Sequence, residues 1–109
     1  MTKYVANAFS LSMIPQSAAI LAVTSPSEGE VKAFLKSEVV SAVGHAATAE
    51  IIKELTGVPV PVNRVPIILN PGDEVLVFQL LKRLEEGKVL SREEIKALPV
   101  AWRKVKVSF

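Results

Sequence analysis

His45 is the only histidine in the chain. The side chains that could share chemistry with it are few: Arg64, Arg83, Glu85, Glu86, Asn7, Ser10 and Ser12. An imidazole gives or takes a proton near neutral pH, and a guanidinium makes paired contacts to phosphate or carboxylate. Together these types suit cleavage of an RNA phosphodiester without metal. A ribose 2′-OH attacks phosphorus, an acid protonates the leaving 5′ oxygen, and arginines stabilise the added negative charge. Taken one at a time they read more blandly. Arg83 and Glu86, three residues apart, would also form an exposed ion pair worth at most about 1 kcal/mol. Arg64 reads equally as a solvated loop residue, Asn7 as a turn former and His45 as a surface or boundary histidine. There is no cysteine, which excludes thiol catalysis, thiolate metal sites and disulfides. A single histidine without cysteine makes a zinc site within one chain unexpected, and carboxylates leave only weak binding of a hard cation open. No metal site and no cofactor are expected. Asp73 and Glu74 are expected to be solvated turn carboxylates. The chain has no glycine-rich phosphate loop, no GxSxG elbow and no HExxH.

The elements that must position these groups follow from periodicity. Apolar residues at Val40, Val43, Ala47, Ile51 and Leu55 fall on one helical face. They predict one long helix over 39–56, closed by a left-handed Gly57, with His45 on a flank of small residues. Residues 3–6 predict a first strand, followed by a loop carrying Asn7, Ser10 and Ser12. Loops at strand ends commonly carry ligands. The apolar run 18–23 predicts a buried strand. Ser25 and Glu28 predict a capping box that opens a helix with Val31, Phe34 and Leu35 on its inner face. Val58-Pro-Val-Pro61 predicts an extended connector. Strands are expected over 65–69 and 74–81, joined as a hairpin by Asn70-Pro-Gly-Asp73. Ser91 and Glu94 predict a second capping box and a short helix ended by Pro99. Alternation over 102–109 predicts a half-exposed last strand. The expected order is β-β-α-α-β-β-α-β. The expected fold is a single α/β (α+β) domain over residues 1–109, with a mixed sheet of about five strands flanked by helices.

Composition sets the outer bounds. Half of the 109 residues are apolar and 22% are charged, a globular balance. The net charge of +2 suits an anionic ligand, but no dense Lys/Arg run marks a duplex-binding surface. The uninterrupted apolar part of 8–24 is too short for a signal sequence core or a membrane span. A soluble, cytoplasmic protein is expected.

Asn7-Ala-Phe-Ser10, Val43-Gly-His45, Asn63-Arg64 and Arg83-Leu-Glu-Glu86-Gly-Lys88 occur in this order and at these spacings. The combination resembles the small ring nucleases of archaeal viruses, phages and prophages. These are anti-CRISPR enzymes that destroy cyclic tetra-adenylate, the second messenger of type III CRISPR systems. The resemblance covers nearly the whole chain. It implies a homodimer whose cyclic ligand lies across the two-fold axis, in the cytoplasm of the host cell if the source is viral. It implies His45 as general acid, Arg83 as phosphate stabiliser and Glu86 as a positioning group, with Asn7, Ser10 and Arg64 as ligand contacts. It further implies metal-independent cleavage to linear di-adenylate ending in a cyclic 2′,3′-phosphate. Many viral members read Gly-His-Asp-Ser-Thr where this chain has Gly44-His45-Ala46-Ala47-Thr48, and some have asparagine at the place of Ser12.

Symmetry gives the resemblance a physical basis. The ring carries four equivalent phosphates, and a two-fold dimer presents every site residue twice. A sparse set of one histidine and two or three arginines per chain then becomes a dense local charge. Two other readings stay open. One is a nucleic-acid-binding or transcription-modulating protein using Arg64, Arg83 and the basic last strand, for which salt-steep affinity is expected. The other is a sponge that holds the cyclic nucleotide without cutting it.

Overall fold

The structure, a computed structural model, describes residues 1–82 and 90–108. Its strands are β1 (Lys3–Ala6), β2 (Ile20–Thr24), β3 (Val40–Ala42), β4 (Glu74–Leu80) and β5 (Val100–Ser108). Its helices are α1 (Glu28–Lys36), α2 (Ala46–Thr56) and α3 (Arg92–Lys96), and a 3-10 turn spans Leu11–Met13. The strands form one five-stranded mixed sheet in the order β2-β5-β4-β1-β3. β1 runs parallel to both β3 and β4, whereas β5 is antiparallel to β4 and β2. The expected α+β class and five-stranded mixed sheet are therefore observed.

Side-chain alternation along the strands builds two cores. Val5, Leu76 and Phe78 face the helices and pack with Val31, Phe34, Leu35, Ile51, Ile52 and Ile95. Phe78 is fully buried, and its ring meets Trp102 at 4.7 Å between centroids. Ala6, Val75 and Val107 face the other way, onto Ile67 and Leu69 of the 57–73 connection and Phe9 and Met13 of the β1–β2 loop. One face thus carries helices, and the other is partly covered by irregular chain.

Several expectations need correction. The stretch 39–56 is not one helix. Val40–Ala42 forms edge strand β3, Gly44 and His45 turn the chain, and α2 begins at Ala46. Residues 65–69 form no strand and no hairpin with β4, because β1 and β5 already occupy both edges of β4. Leu69 is held instead by its N–H to the Met13 carbonyl at 2.8 Å. The observed order is β-β-α-β-α-β-α-β. β2 is an exposed edge strand rather than a buried one. The first capping box lies two residues later than expected: Ser27 Oγ accepts from the Glu30 N–H, and the Glu30 carboxylate accepts from the Ser27 N–H. Asp73 is not solvated. It is buried and accepts the Thr2 N–H at 2.8 Å and the Asn70 N–H at 2.9 Å. It closes the Asn70–Asp73 turn, where Gly72 has φ 89°, and ties that turn to the start of β1.

The second capping box, Ser91 with Glu94, and the left-handed Gly57 at φ 74° stand as expected. Among the described residues no helix is long and apolar enough to cross a membrane.

Candidate functional site

The parallel strands β1 and β3 end side by side, and their carboxyl ends are where ligands bind in sheets of this kind. Asn7 follows β1 directly, and Gly44-His45 follows β3. The Gly44 N–H points to Asn7 Oδ1 at 3.5 Å, and the Gly44 carbonyl accepts from Arg64 Nε at 2.8 Å. Residues from three distant stretches therefore meet around one residue. A Cβ at position 44 would lie 3.2 Å from Arg64 Cγ, so glycine is what lets the arginine stem cross the turn.

Asn63 secures the same turn from beneath. Its backbone N–H donates to the Val43 carbonyl at 2.8 Å, and Nδ2 donates to the Ser41 carbonyl at 2.8 Å. Buried Ser41 donates its hydroxyl to the Pro61 carbonyl. The 57–73 connection is thus stitched along β3, and this delivers Arg64 to the site.

His45 occupies the N-cap position of α2 with extended φ and ψ, is exposed, and makes no side-chain cap bond. Among the described residues its ring has no hydrogen-bond partner. The first-turn N–H groups of α2 add positive potential on the same side. Arg64 is exposed, and among the described residues it bonds only through Nε to Gly44, which leaves its two terminal amino groups without a described partner. Ser10 caps the 3-10 turn, accepting the Ser12 N–H at 3.3 Å, and the two hydroxyls lie 2.9 Å apart. Ser10 shapes the loop, and Ser12 is the serine that shares a hollow with Asn7. Arg83 and Glu86 lie outside the described residues. β4, which leads towards them, ends at Leu80. Among the described residues no group of three His, Asp or Glu side chains is placed to hold a metal ion.

A family model described as STIV B116-like matches residues 3–102. The chain belongs to the STIV B116-like family. B116 of Sulfolobus turreted icosahedral virus has a solved structure that superposes with a TM-score of 0.87 at 30% identity, covering 97% of this chain and 99% of that one. Uncharacterized protein 26 of Sulfolobus islandicus filamentous virus is 37% identical over 92 residues, 84% of this chain and 78% of the viral protein. ORF116 of Acidianus filamentous virus 1 is 34% identical over 96 residues, 87% of this chain and 83% of its own. These relatives are viral proteins, which agrees with the viral side of the resemblance.

In this B116-like chain the matched span contains Asn7, Ser10, His45, Arg64, Arg83 and Glu86. Two further residues join the candidate set, Gln79 and Arg103. They share with Asn7 a hollow of about 400 Å³ on the face of the sheet away from the helices. Gln79 could have been suspected from sequence, as a polar residue inside the apolar run of β4. Arg103 sits opposite Val77 in the β4–β5 ladder, a register that strand periodicity alone does not supply.

Proposed function

We propose that this protein is a metal-independent ring nuclease that cuts cyclic tetra-adenylate and so switches off type III CRISPR signalling. The observation that carries the reading is the meeting of Asn7, His45 and Arg64 about Gly44, from stretches far apart in sequence. Each is of a type suited to phosphodiester chemistry, with His45 and Arg64 exposed and Asn7 half-buried.

The reaction needs little from the protein beyond this set. The substrate 2′-OH gives up its proton to solvent as its oxygen attacks the adjacent phosphorus, the bond from phosphorus to the 5′ oxygen breaks, and a 2′,3′-cyclic phosphate forms. Protonated His45 supplies the proton that the leaving 5′ oxygen takes up. Arg64 and Arg83 stabilise charge on the phosphoryl oxygens, and Glu86 orients the groups around Arg83. Two cuts in a ring of four give two linear di-adenylates. A homodimer presents two such sets across its axis, matched to opposite sides of the ring.

The test is single-turnover incubation with labelled cyclic tetra-adenylate in EDTA, wild type beside His45→Ala. Linear products are expected from the wild type, slowed about a hundredfold in the variant, the usual scale for one acid–base group. The wild-type rate should fall at alkaline pH, as an acid that must carry its proton requires. Tight binding without products would make the protein a sponge. Neither binding nor cleavage would end the ring-nuclease reading and direct attention to nucleic-acid affinity across salt.

A further inference from the structure

β3 is the last strand on its side of the sheet, so one row of its backbone groups has no strand partner. The chain that runs beside it cannot supply an ordinary ladder, because Pro59 and Pro61 have no N–H to donate. Two side chains stand in for the missing bonds, one from each side. The buried Ser41 hydroxyl reaches out of β3 to the Pro61 carbonyl and accepts the Val43 N–H at 3.3 Å. Half-buried Asn63 reaches back, its Nδ2 donating to the Ser41 carbonyl at 2.8 Å and its N–H to the Val43 carbonyl at 2.8 Å. Arg64 follows, with Nε on the Gly44 carbonyl at 2.8 Å. The positions advance together, Pro61, Asn63 and Arg64 against Ser41, Val43 and Gly44, so the connection lies parallel to β3 in one defined register.

We propose that Ser41 and Asn63 are positioning residues of the cleavage site: they hold the connection in that register and so set where the Arg64 guanidinium stands relative to His45. The catalytic part of this inference rests on the ring-nuclease reading, and the register does not. Arg64 is exposed and its long stem has a single described anchor, so its head goes where its backbone is placed. Val58 and Val60 pack the connection against the core beneath the helices, but apolar contact is non-directional and does not select a register. The directional bonds of Ser41 and Asn63 do. A slip of one residue along an extended chain is about 3.3 Å and turns alternate side chains to the opposite side. It would bring Asn63 or Val65 to Gly44 in place of the arginine.

The experiment uses the full chain and two readouts, with thermal melting to show that each variant is folded. The first is the Arg64 Nε–H signal in NMR spectra without substrate. Its exchange with water should be about tenfold faster in Asn63→Ala and in Ser41→Ala than in wild type, as for a bond that opens locally. The second is single-turnover cleavage of labelled cyclic tetra-adenylate. Each of the two variants should slow it about tenfold, the scale for a displaced charge-stabilising group. Ser41→Thr keeps the hydroxyl and should recover most of the rate lost in Ser41→Ala. In an Arg64→Ala background, adding Asn63→Ala should cost no further rate, because its effect runs through the arginine. A full additional loss there would show that Asn63 acts apart from Arg64 and would overturn the proposal. Unchanged Arg64 Nε–H exchange in the folded variants would overturn it too. If the wild type does not cleave the ring while Arg64 Nε–H loses its protection as expected, the register stands and the ring-nuclease reading falls.

Discussion

At Gly44 the N–H faces Asn7 and the carbonyl faces Arg64, so the residue with no side chain organises three that have one. Gly44→Ala is informative because it changes no ionisable group. The new Cβ would meet Arg64 Cγ at 3.2 Å, closer than most such contacts, and the arginine stem would have to shift by a few tenths of an ångström. The Arg64–Gly44 bond then weakens and the guanidinium moves relative to His45. Cleavage of cyclic tetra-adenylate should slow about tenfold, since small misplacements near a reacting centre are costly. Folding should be almost untouched, which thermal melting beside the rate assay would check. A rate equal to wild type would show that the Arg64 contact plays no part in positioning. Asp73 makes the opposite case, a carboxylate far from the chemistry. Its two backbone hydrogen bonds tie Thr2 and Asn70. Asp73→Ala should cost about 2 kcal/mol in denaturant unfolding, the scale for bonds to a charged acceptor. The active-site rate of the folded fraction should stay as it was. From sequence Asp73 looked like any turn acid. Its burial depends on the β1 start arriving beside the turn, a contact between residues 71 positions apart that no local pattern records.

Elements show where periodicity is a sound guide and where it misleads. Capping chemistry is local, so the Ser91–Glu94 box was legible, and the α1 box was misplaced by only two residues among several candidate serines. The failure at 39–56 has a clear cause. Val43 of the β3–α2 turn and Ile51 of α2 point into the same core beneath the helices. Their spacing thus reports a shared buried side, not a shared helix. Residues 65–69 alternate as a strand does, with Ile67 and Leu69 buried and Ile68 exposed, yet they find no ladder partner. Alternation records which side is covered, and pairing depends on which edges are free. The α1 box also carries a pH signature. The Glu30 carboxyl is held below its ordinary value chiefly by accepting the Ser27 backbone N–H, then by the Ser27 side chain, with a smaller contribution from Lys104. A lowered folded-state value means its contribution is complete above the ordinary glutamate range and is lost as pH falls through the lowered value. Acid titration followed by NMR should show the Ser27 and Glu30 amides shifting together in that window. Ser27→Ala keeps the backbone N–H and removes only the side chain's share, so it should move the Glu30 titration part of the way back towards the ordinary range, and no movement would rule out that share.

If the protein acts on cyclic tetra-adenylate as proposed, a single chain holds only part of what a ring with four phosphates requires. One chain contributes one His45 and one Arg64, and its modest net charge of +2 cannot by itself match a tetra-anion. Pairing two chains doubles every group without adding a residue, and the charge gathers where the axis passes. This leads to a kinetic expectation that a self-sufficient monomer would not share. If the ring is cut only by a dimer, specific activity should be constant at high protein concentration. Below the dimer dissociation constant it should fall about tenfold for each tenfold dilution. Cyclic tetra-adenylate, binding the dimer in preference to separate chains, should move that break to lower protein concentration in the non-cleaving His45→Ala protein, by ordinary mass action. Analytical ultracentrifugation with and without ligand, set beside initial rates over a dilution series, measures both quantities. Constant specific activity through the range where sedimentation reads monomer would place the whole chemistry within one chain. The site would then have to gather its second set of positive charges from Arg103 and the basic last strand instead of from a partner.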